Sequence, residues 1–315
     1  MNSSQLIGVI LAAGKATRMW PFSARYPKPI LPVCNKPLIE YQIMEMKGLG
    51  ITEILIVIGH LGFEISRSLG DGRQYGIRIR YIDQRETIGI AHAVGQLEEY
   101  IDRPFLMFLG DIFFEVRDLD LMVQALNEGA NAVLAVRDDE NPDAIRRNFA
   151  VVLNEKGVVK RVIEKPRHAP NRLKGCGLYL FDPHIFDAIR RTPRTAARDE
   201  YEITEAIQVL IDDGFEVRIA EVVSFDINVT FPCDLLASNL RQLRRQNVTR
   251  VVGDGTQLGM AESDIVRSVI GENVRVAKVP YIRNSLIFSD TVINVDAPIE
   301  NMIFTPTDII DCRFK

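Results

Sequence analysis

Cysteine, histidine and tryptophan are scarce in this chain of 315 residues, at four, four and one. Cys34, Cys176, Cys233 and Cys312 stand far apart with no paired spacing. That excludes a zinc ribbon, a redox pair and a dense disulfide framework, and predicts free thiols in a reducing cytosol. His60, His92, His168 and His184 show no H-E-x-x-H or other ligand spacing and are read as structural. No uninterrupted apolar run approaches the roughly 20 residues that span a bilayer, and no basic region leads into a long apolar core at the N-terminus. A net charge of −4 gives no general attraction to nucleic acid or anionic lipid. The expectation is a cytoplasmic protein without a polynucleotide or membrane partner.

What is present is an ordinary globular composition, 47% hydrophobic and 25% charged, long enough for one large domain and a smaller one. Leu6 to Leu11 is continuously apolar, as in a parallel strand covered on both faces, and it empties into Leu11-Ala12-Ala13-Gly14-Lys15-Ala16-Thr17-Arg18. Ligands of such sheets collect beyond the carboxyl ends of the strands, which places Gly14, Lys15, Arg18, Arg25 and Lys28 at a ligand crevice. The loop is neither a Walker A motif, since Ala16 follows Lys15, nor G-x-G-x-x-G. Backbone amides near Gly14 and four cations within fifteen residues suit a polyphosphate; a solvated basic loop is the alternative.

Strands at 54–58, 77–82 and 105–109 alternate with helical segments at 37–47, 63–69 and 91–100. This alternation predicts an α/β fold: a mainly parallel, Rossmann-like sheet flanked by helices. Strand-like runs at 133–136, 151–153, 158–163 and 178–181 lie closer together and predict a mixed extension of that sheet. Helical periodicity returns at 203–211 and 235–243, and the domain boundary is placed at 247, giving domains 1–247 and 248–315. In the tail, Ile270, Val276 and Ile282 are six apart, as are Ile287, Ile293 and Ile299, and Phe304 and Ile310. Blocks at 268–270, 285–287 and 302–304 recur every 17 residues, the pattern of a short β-solenoid whose exposed end needs a cap or a second copy of the chain. Irregular strands covering the first domain are the alternative.

Asp111 follows Gly110 where an apolar strand ends, a position from which a carboxylate can reach magnesium held on substrate phosphates. Asp226 follows another β-rich stretch and can supply a second carboxylate. Glu164-Lys165-Pro166 closes a strand that the proline prevents from continuing, as a pair at the strand edge or a surface ion pair.

Taken together, Leu11 to Pro21, Pro27 to Pro32 and Lys36 to Ile39 match the opening signature of the sugar-nucleotide pyrophosphorylases. The resemblance continues through Gln84, the 89–93 segment, Gly110-Asp111, Glu164-Lys165-Pro166, Gly177-Leu178-Tyr179, Glu202-Ile203-Thr204 and Asp226, and so covers residues 6 to 246. It implies a sugar-1-phosphate nucleotidylyltransferase using a nucleoside triphosphate and a sugar 1-phosphate. Arg18 and Lys28 would grip the triphosphate, and Asp111 and Asp226 would hold Mg2+. Leu11, Ala13, Gly14, Lys15, Thr17, Gln84 and Gly89 would line the nucleotide. Lys165 would orient the sugar phosphate, and Gly110, Glu164, Gly177 and Glu202 would face the sugar. The 84–93 region looks most like thymidylyl and uridylyl members acting on glucose 1-phosphate; a mannose-1-phosphate guanylyltransferase and a silent nucleotide-binding regulatory subunit are the alternatives. Ala16 departs from the signature's second glycine, adding a methyl where positive φ is common. The tail resembles the left-handed β-helix of many relatives and, with no histidine after His184, is assigned to homo-oligomer assembly or regulation.

Overall fold

The computed structural model describes residues 5–84, 86–196 and 199–313. The chain divides into two compact units. One runs to Gly14 and resumes over Gln42–Asp226; the other holds Lys15–Tyr41 and everything from Ile227 onward. Residues 15–41 and 227–247 therefore group with the tail rather than with the large sheet.

The first unit is built on a nine-stranded sheet. Its strands are β1 (Ile7–Ala12), β2 (Glu53–Ile58), β3 (Arg78–Asp83) and β4 (Phe105–Leu109), then, beyond the separate strand β5 (Ile112–Val116), β6 (Ala132–Asp138), β7 (Phe149–Leu153), β8 (Val159–Glu164), β9 (Leu173–Phe181) and β10 (Val217–Ala220). β3, β2, β1 and β4 run parallel in that order, as the helical connections between them require. β9 turns the sheet antiparallel. It pairs through Leu178–Phe181 with β4, through Lys174 with Ala150 of β7, and along its other edge with β6, whose far side takes β10 in parallel. The pairing of β9 with β6 slips between Gly175 and Tyr179, a bulge that re-aims the side chains around it. β11 (Val223–Asn228) pairs with β5 outside the main sheet.

The expected helices appear as α1 (Leu38–Gly48), α2 (Gly62–Leu69), α3 (Ile90–Gly95), α7 (Ile203–Asp212) and α8 (Pro232–Arg245), with α4 (Asp120–Asn127), α5 (Pro142–Arg147) and α6 (His184–Arg191) added between the strands. The helix expected over 91–100 stops at Gly95, and Glu98–Tyr100 form a separate 3-10 turn. The main core is apolar throughout: Val9, Val57, Phe105, Leu134, Tyr179, Phe181 and Ile207 are all buried within one cluster.

The second unit carries the solenoid. Three parallel ladders stack at the expected period, through Val269, Leu286 and Ile303, through Arg275 and Val292, and through Ile265, Ile282 and Ile299. Ile270, Val276, Ile282, Ile287, Ile293, Ile299 and Phe304 fill the interior, as the six-residue spacing predicts. Buried serines reinforce the stack: the Ser285 amide donates to Ser268 Oγ at 3.1 Å and the Met302 amide to Ser285 Oγ at 3.2 Å. Ile310 departs from the pattern. Its strand, Ile309–Asp311, turns back antiparallel to Met302–Phe304, so the chain lays its own last strand on that ladder.

The cysteines require a correction. Cys233, in the first turn of α8, and Cys312, just after the last strand, form a disulfide with a Cα–Cα distance of 5.6 Å, leaving Cys34 and Cys176 as buried free thiols. A separation of 79 residues carries no local spacing signal; the pair meets only because the tail folds back onto α8. Among the described residues, no helix is long and apolar enough to cross a membrane.

Candidate active site

Within the first unit, Leu11, Gln84 and Gly110 lie at or just past the carboxyl ends of parallel strands. The Gly110 amide donates to the Leu11 carbonyl at 2.9 Å, and a Cβ on Gly110 would lie 2.8 Å from that oxygen. Only glycine lets β4 pass so close to β1 before delivering Asp111 beyond the sheet. Gln84 leaves β3 with its amide bound to the Ile58 carbonyl at 2.7 Å, and its side-chain amide donates to the Glu86 carbonyl at 2.9 Å. Gly89 has φ +121°, and a Cβ there would lie 2.3 Å from the Tyr201 carbonyl oxygen. The Ala91 amide donates to that oxygen at 2.9 Å, and the Tyr201 amide donates to the Ile88 carbonyl at 2.8 Å. Gly89 is thereby clasped to the residue preceding Glu202. Tyr201 was not singled out in the sequence; the clasp is made by its backbone, which carries no compositional signal.

Glu202, at the N-cap position of α7, joins Glu164 and Lys165 around a cavity of about 470 Å³ that Pro193, Thr195, Ala196 and Glu205 complete. Lys165, expected at the sugar phosphate, and Glu164 and Glu202, expected to face the sugar, thus line one cavity. Lys165 adopts φ +40°, a left-handed conformation costly for a lysine, and its amide donates to the Asn148 carbonyl at 2.8 Å. Its ammonium lies 3.7 Å from Glu164, whose other oxygen accepts from Thr204 Oγ1 at 3.3 Å. The arrangement offers a cation for a phosphate and carboxylates for sugar hydroxyls. Gly177 sits in the β9 bulge at φ +68°, against Leu109 at the end of β4 and Ile112 at the start of β5.

Within the second unit, Lys15, Thr17, Arg18 and Lys28 lie on a loop of 3-10 turns, Thr17–Met19, Phe22–Ala24 and Lys28–Ile30. Ala16 takes φ +54°, ψ +34°: the methyl is carried in the left-handed conformation that the signature's glycine would adopt freely. The Arg18 guanidinium carbon lies 6.0 Å from the centre of the Phe231 ring. Arg25, expected at the ligand crevice, instead donates to Thr307 Oγ1 at 2.9 Å. The loop is held by the tail and α8. Phe22 and Tyr26 pack on Phe288 at 5.5 and 5.6 Å between ring centres, Asn35 donates to the Ile270 carbonyl at 2.7 Å, and Asn239 accepts from the Cys34 amide at 2.7 Å.

Asp226, expected to hold magnesium with Asp111, is otherwise engaged. Lys174 Nζ lies 2.7 and 2.6 Å from its two oxygens, and Arg137 Nη1 is 3.0 Å from Oδ1. Arg137 also binds Asp139, completing a cluster of two cations and two carboxylates. Burial works against ionisation of Asp139, but the hydrogen bonds from Arg137 and the Asn141 amide, together with the charges of Arg137 and Lys174, outweigh it and hold the carboxyl below its usual range. A carboxylate so paired does not fit a divalent ion, and among the described residues no group of three or more His, Cys, Asp and Glu side chains is arranged to hold one. The sequence does contain a signal for Lys174, a charged residue inside the otherwise uncharged strand 173–181.

Residues 7–221 match the family model described as Nucleotidyl transferase. The low-salt glycan biosynthesis nucleotidyltransferase Agl11 of Haloferax volcanii is 36% identical over 261 residues, 81% of this chain and 72% of that protein. The glucose-1-phosphate thymidylyltransferase of Streptomyces antibioticus is 31% identical over 97% of this chain and 83% of its own. A solved UDP-glucose pyrophosphorylase complexed with UDP-glucose shares the fold, with a TM-score of 0.65 at 22% identity over 76% of this chain and 99% of that one. With the strand-end glycines and the Glu164–Lys165–Glu202 cavity in place, the chain belongs to the nucleotidyl transferase family of sugar-1-phosphate nucleotidylyltransferases.

Proposed function

We propose that the protein joins a nucleoside triphosphate, dTTP or UTP, to glucose 1-phosphate, releasing pyrophosphate. The observation that carries this reading is the cavity in which Lys165 stands beside Glu164 and Glu202, one cation among hydroxyl-binding carboxylates, as a phosphorylated sugar requires. The likeness to a glucose-1-phosphate thymidylyltransferase over 97% of the chain supports the choice of base and sugar.

The chemistry asks little covalent participation of the protein. A sugar-phosphate oxygen is already an anionic nucleophile, so the barrier lies in bringing two anions together and aligning the attack with the departing pyrophosphate. Lys165 holds the sugar phosphate by charge. Arg18 and Lys28 neutralise the triphosphate and the charge that builds on the leaving oxygen. Gln84 and Gly89 line the base, and a side chain at Gly89 would collide with the Tyr201 backbone that clasps this segment. Magnesium, when bound, would screen the phosphates, with Asp111 as the carboxylate that would hold it.

Mixing the protein and magnesium with each of four triphosphates against glucose, mannose and N-acetylglucosamine 1-phosphates tests the assignment. Pyrophosphate release is expected fastest with dTTP or UTP and glucose 1-phosphate. Preference for GTP with mannose 1-phosphate would replace both substrates, and no release with any pairing would leave a nucleotide-binding subunit.

A further inference from the structure

Lys174 and Asp226 form one of the most thoroughly buried ion pairs in the first unit, their side chains 3% and 2% exposed. Lys174 spans both oxygens of the carboxylate, and Arg137 takes a further position on Oδ1. Asp139, 10% exposed, accepts from Arg137 and lies 3.9 Å from Lys174 Nζ. The Arg137 guanidinium carbon lies 6.0 Å from the Phe225 ring centre, and Cys176 Sγ is 4.0 Å from Asp226 Oδ1. Burial pushes the Cys176 thiol well above its usual range, so the sulfur adds no charge. Two carboxylates face two cations, and the cluster closes at zero net charge.

A divalent ion on Asp226 would need a bare carboxylate oxygen and would bring two further positive charges beside Lys174 and Arg137. Expelling Lys174 would strand an ammonium where water cannot reach it. We infer that Lys174 takes the place of a metal ion at Asp226: the carboxylate is an internal anchor, tying β11 to β9 beside the bulge, and any divalent ion reaches this protein through Asp111 and substrate phosphates without Asp226. Lys174 is a positioning residue, since it acts through Asp226 and is too buried to meet substrate. The inference rests on the reading that Asp111 and Asp226 are the pair expected to hold the metal.

Electron paramagnetic resonance of free Mn2+, titrated with the whole protein in the presence and absence of dTTP, reads metal binding without turnover. Wild type and Asp226→Asn should bind Mn2+ with affinities within twofold of each other. Lys174→Gln, which keeps a donor toward Asp226 but removes the charge, should bind at least tenfold tighter, with Lys174→Met as the alternative should it fold better. Asp226→Asn and both Lys174 variants should also lower the unfolding temperature, as loss of an anchor does. A loss of tenfold or more in Mn2+ affinity on Asp226→Asn, or unchanged affinity in both Lys174 variants, would overturn the inference. Neither result touches the transferase assignment, which fails only if no triphosphate and sugar phosphate pair releases pyrophosphate.

Discussion

Gly89 and Ala16 show how single backbone positions govern this chain. At Gly89 positive φ and the Tyr201 carbonyl both forbid a side chain. Gly89→Ala should therefore displace the 88–91 segment from Tyr201 and Glu202, lowering kcat/KM by at least a hundredfold; steady-state kinetics beside a thermal melt separates this from simple unfolding, and near-normal kinetics would refute the clasp. At Ala16 the departure from the signature costs about 1 kcal/mol of left-handed strain and leaves the turn intact. Residues at strand ends were legible in the sequence, because an apolar run followed by Gly-Asp or Glu-Lys-Pro announces where the chain leaves a sheet. Asp226 was legible only by position. Its partner Lys174 is 52 residues away, and only the folded sheet brings them together.

Among the elements, the parallel strands and the solenoid were the easiest to read. Continuous apolar runs and a 17-residue recurrence are long-range patterns that survive without knowledge of packing. The strands β5 and β10 and the helices α4 to α6 were not, because they are short and lie where apolar runs crowd together. The sequence also gave no hint that the tail grips the loop at 15–41. Phe288, 4% exposed, packs on both Phe22 and Tyr26, which ties the conformation of the loop bearing Arg18 and Lys28 to the solenoid. Phe288→Ala should cost roughly 3–5 kcal/mol of stability in denaturant unfolding and raise KM for the triphosphate more than KM for the sugar phosphate. An equal change in both KM values would separate the loop from the tail.

For the whole molecule, the disulfide and the last strand bear on the expectation that the solenoid's exposed end needs a cap or a second copy of the chain. The chain lays Ile309–Asp311 on its own ladder and fastens Cys312 to α8. Closing a loop of 79 residues is worth about 4.5 kcal/mol in the chain-entropy account. Burial pushes the Cys34 thiol from 9.0 to about 12, favouring the neutral form in the folded state; the associated stability is present below pH 9 and is lost as pH rises toward 12. A thiol reagent at pH 8 should accordingly titrate no cysteine in the native protein, two after unfolding without reductant and four after reduction. Four thiols without reductant would show the disulfide to be absent.

The central claim is that a sugar-phosphate oxygen attacks the α-phosphorus of a nucleoside triphosphate. Glucose 1-phosphate labelled with 18O at its non-bridging phosphate oxygens, incubated with dTTP and followed by 31P NMR, tests it directly. The account predicts 18O in the bridging position of the new diphosphate and none in pyrophosphate; label in the released pyrophosphate, or no diphosphate at all, would contradict it.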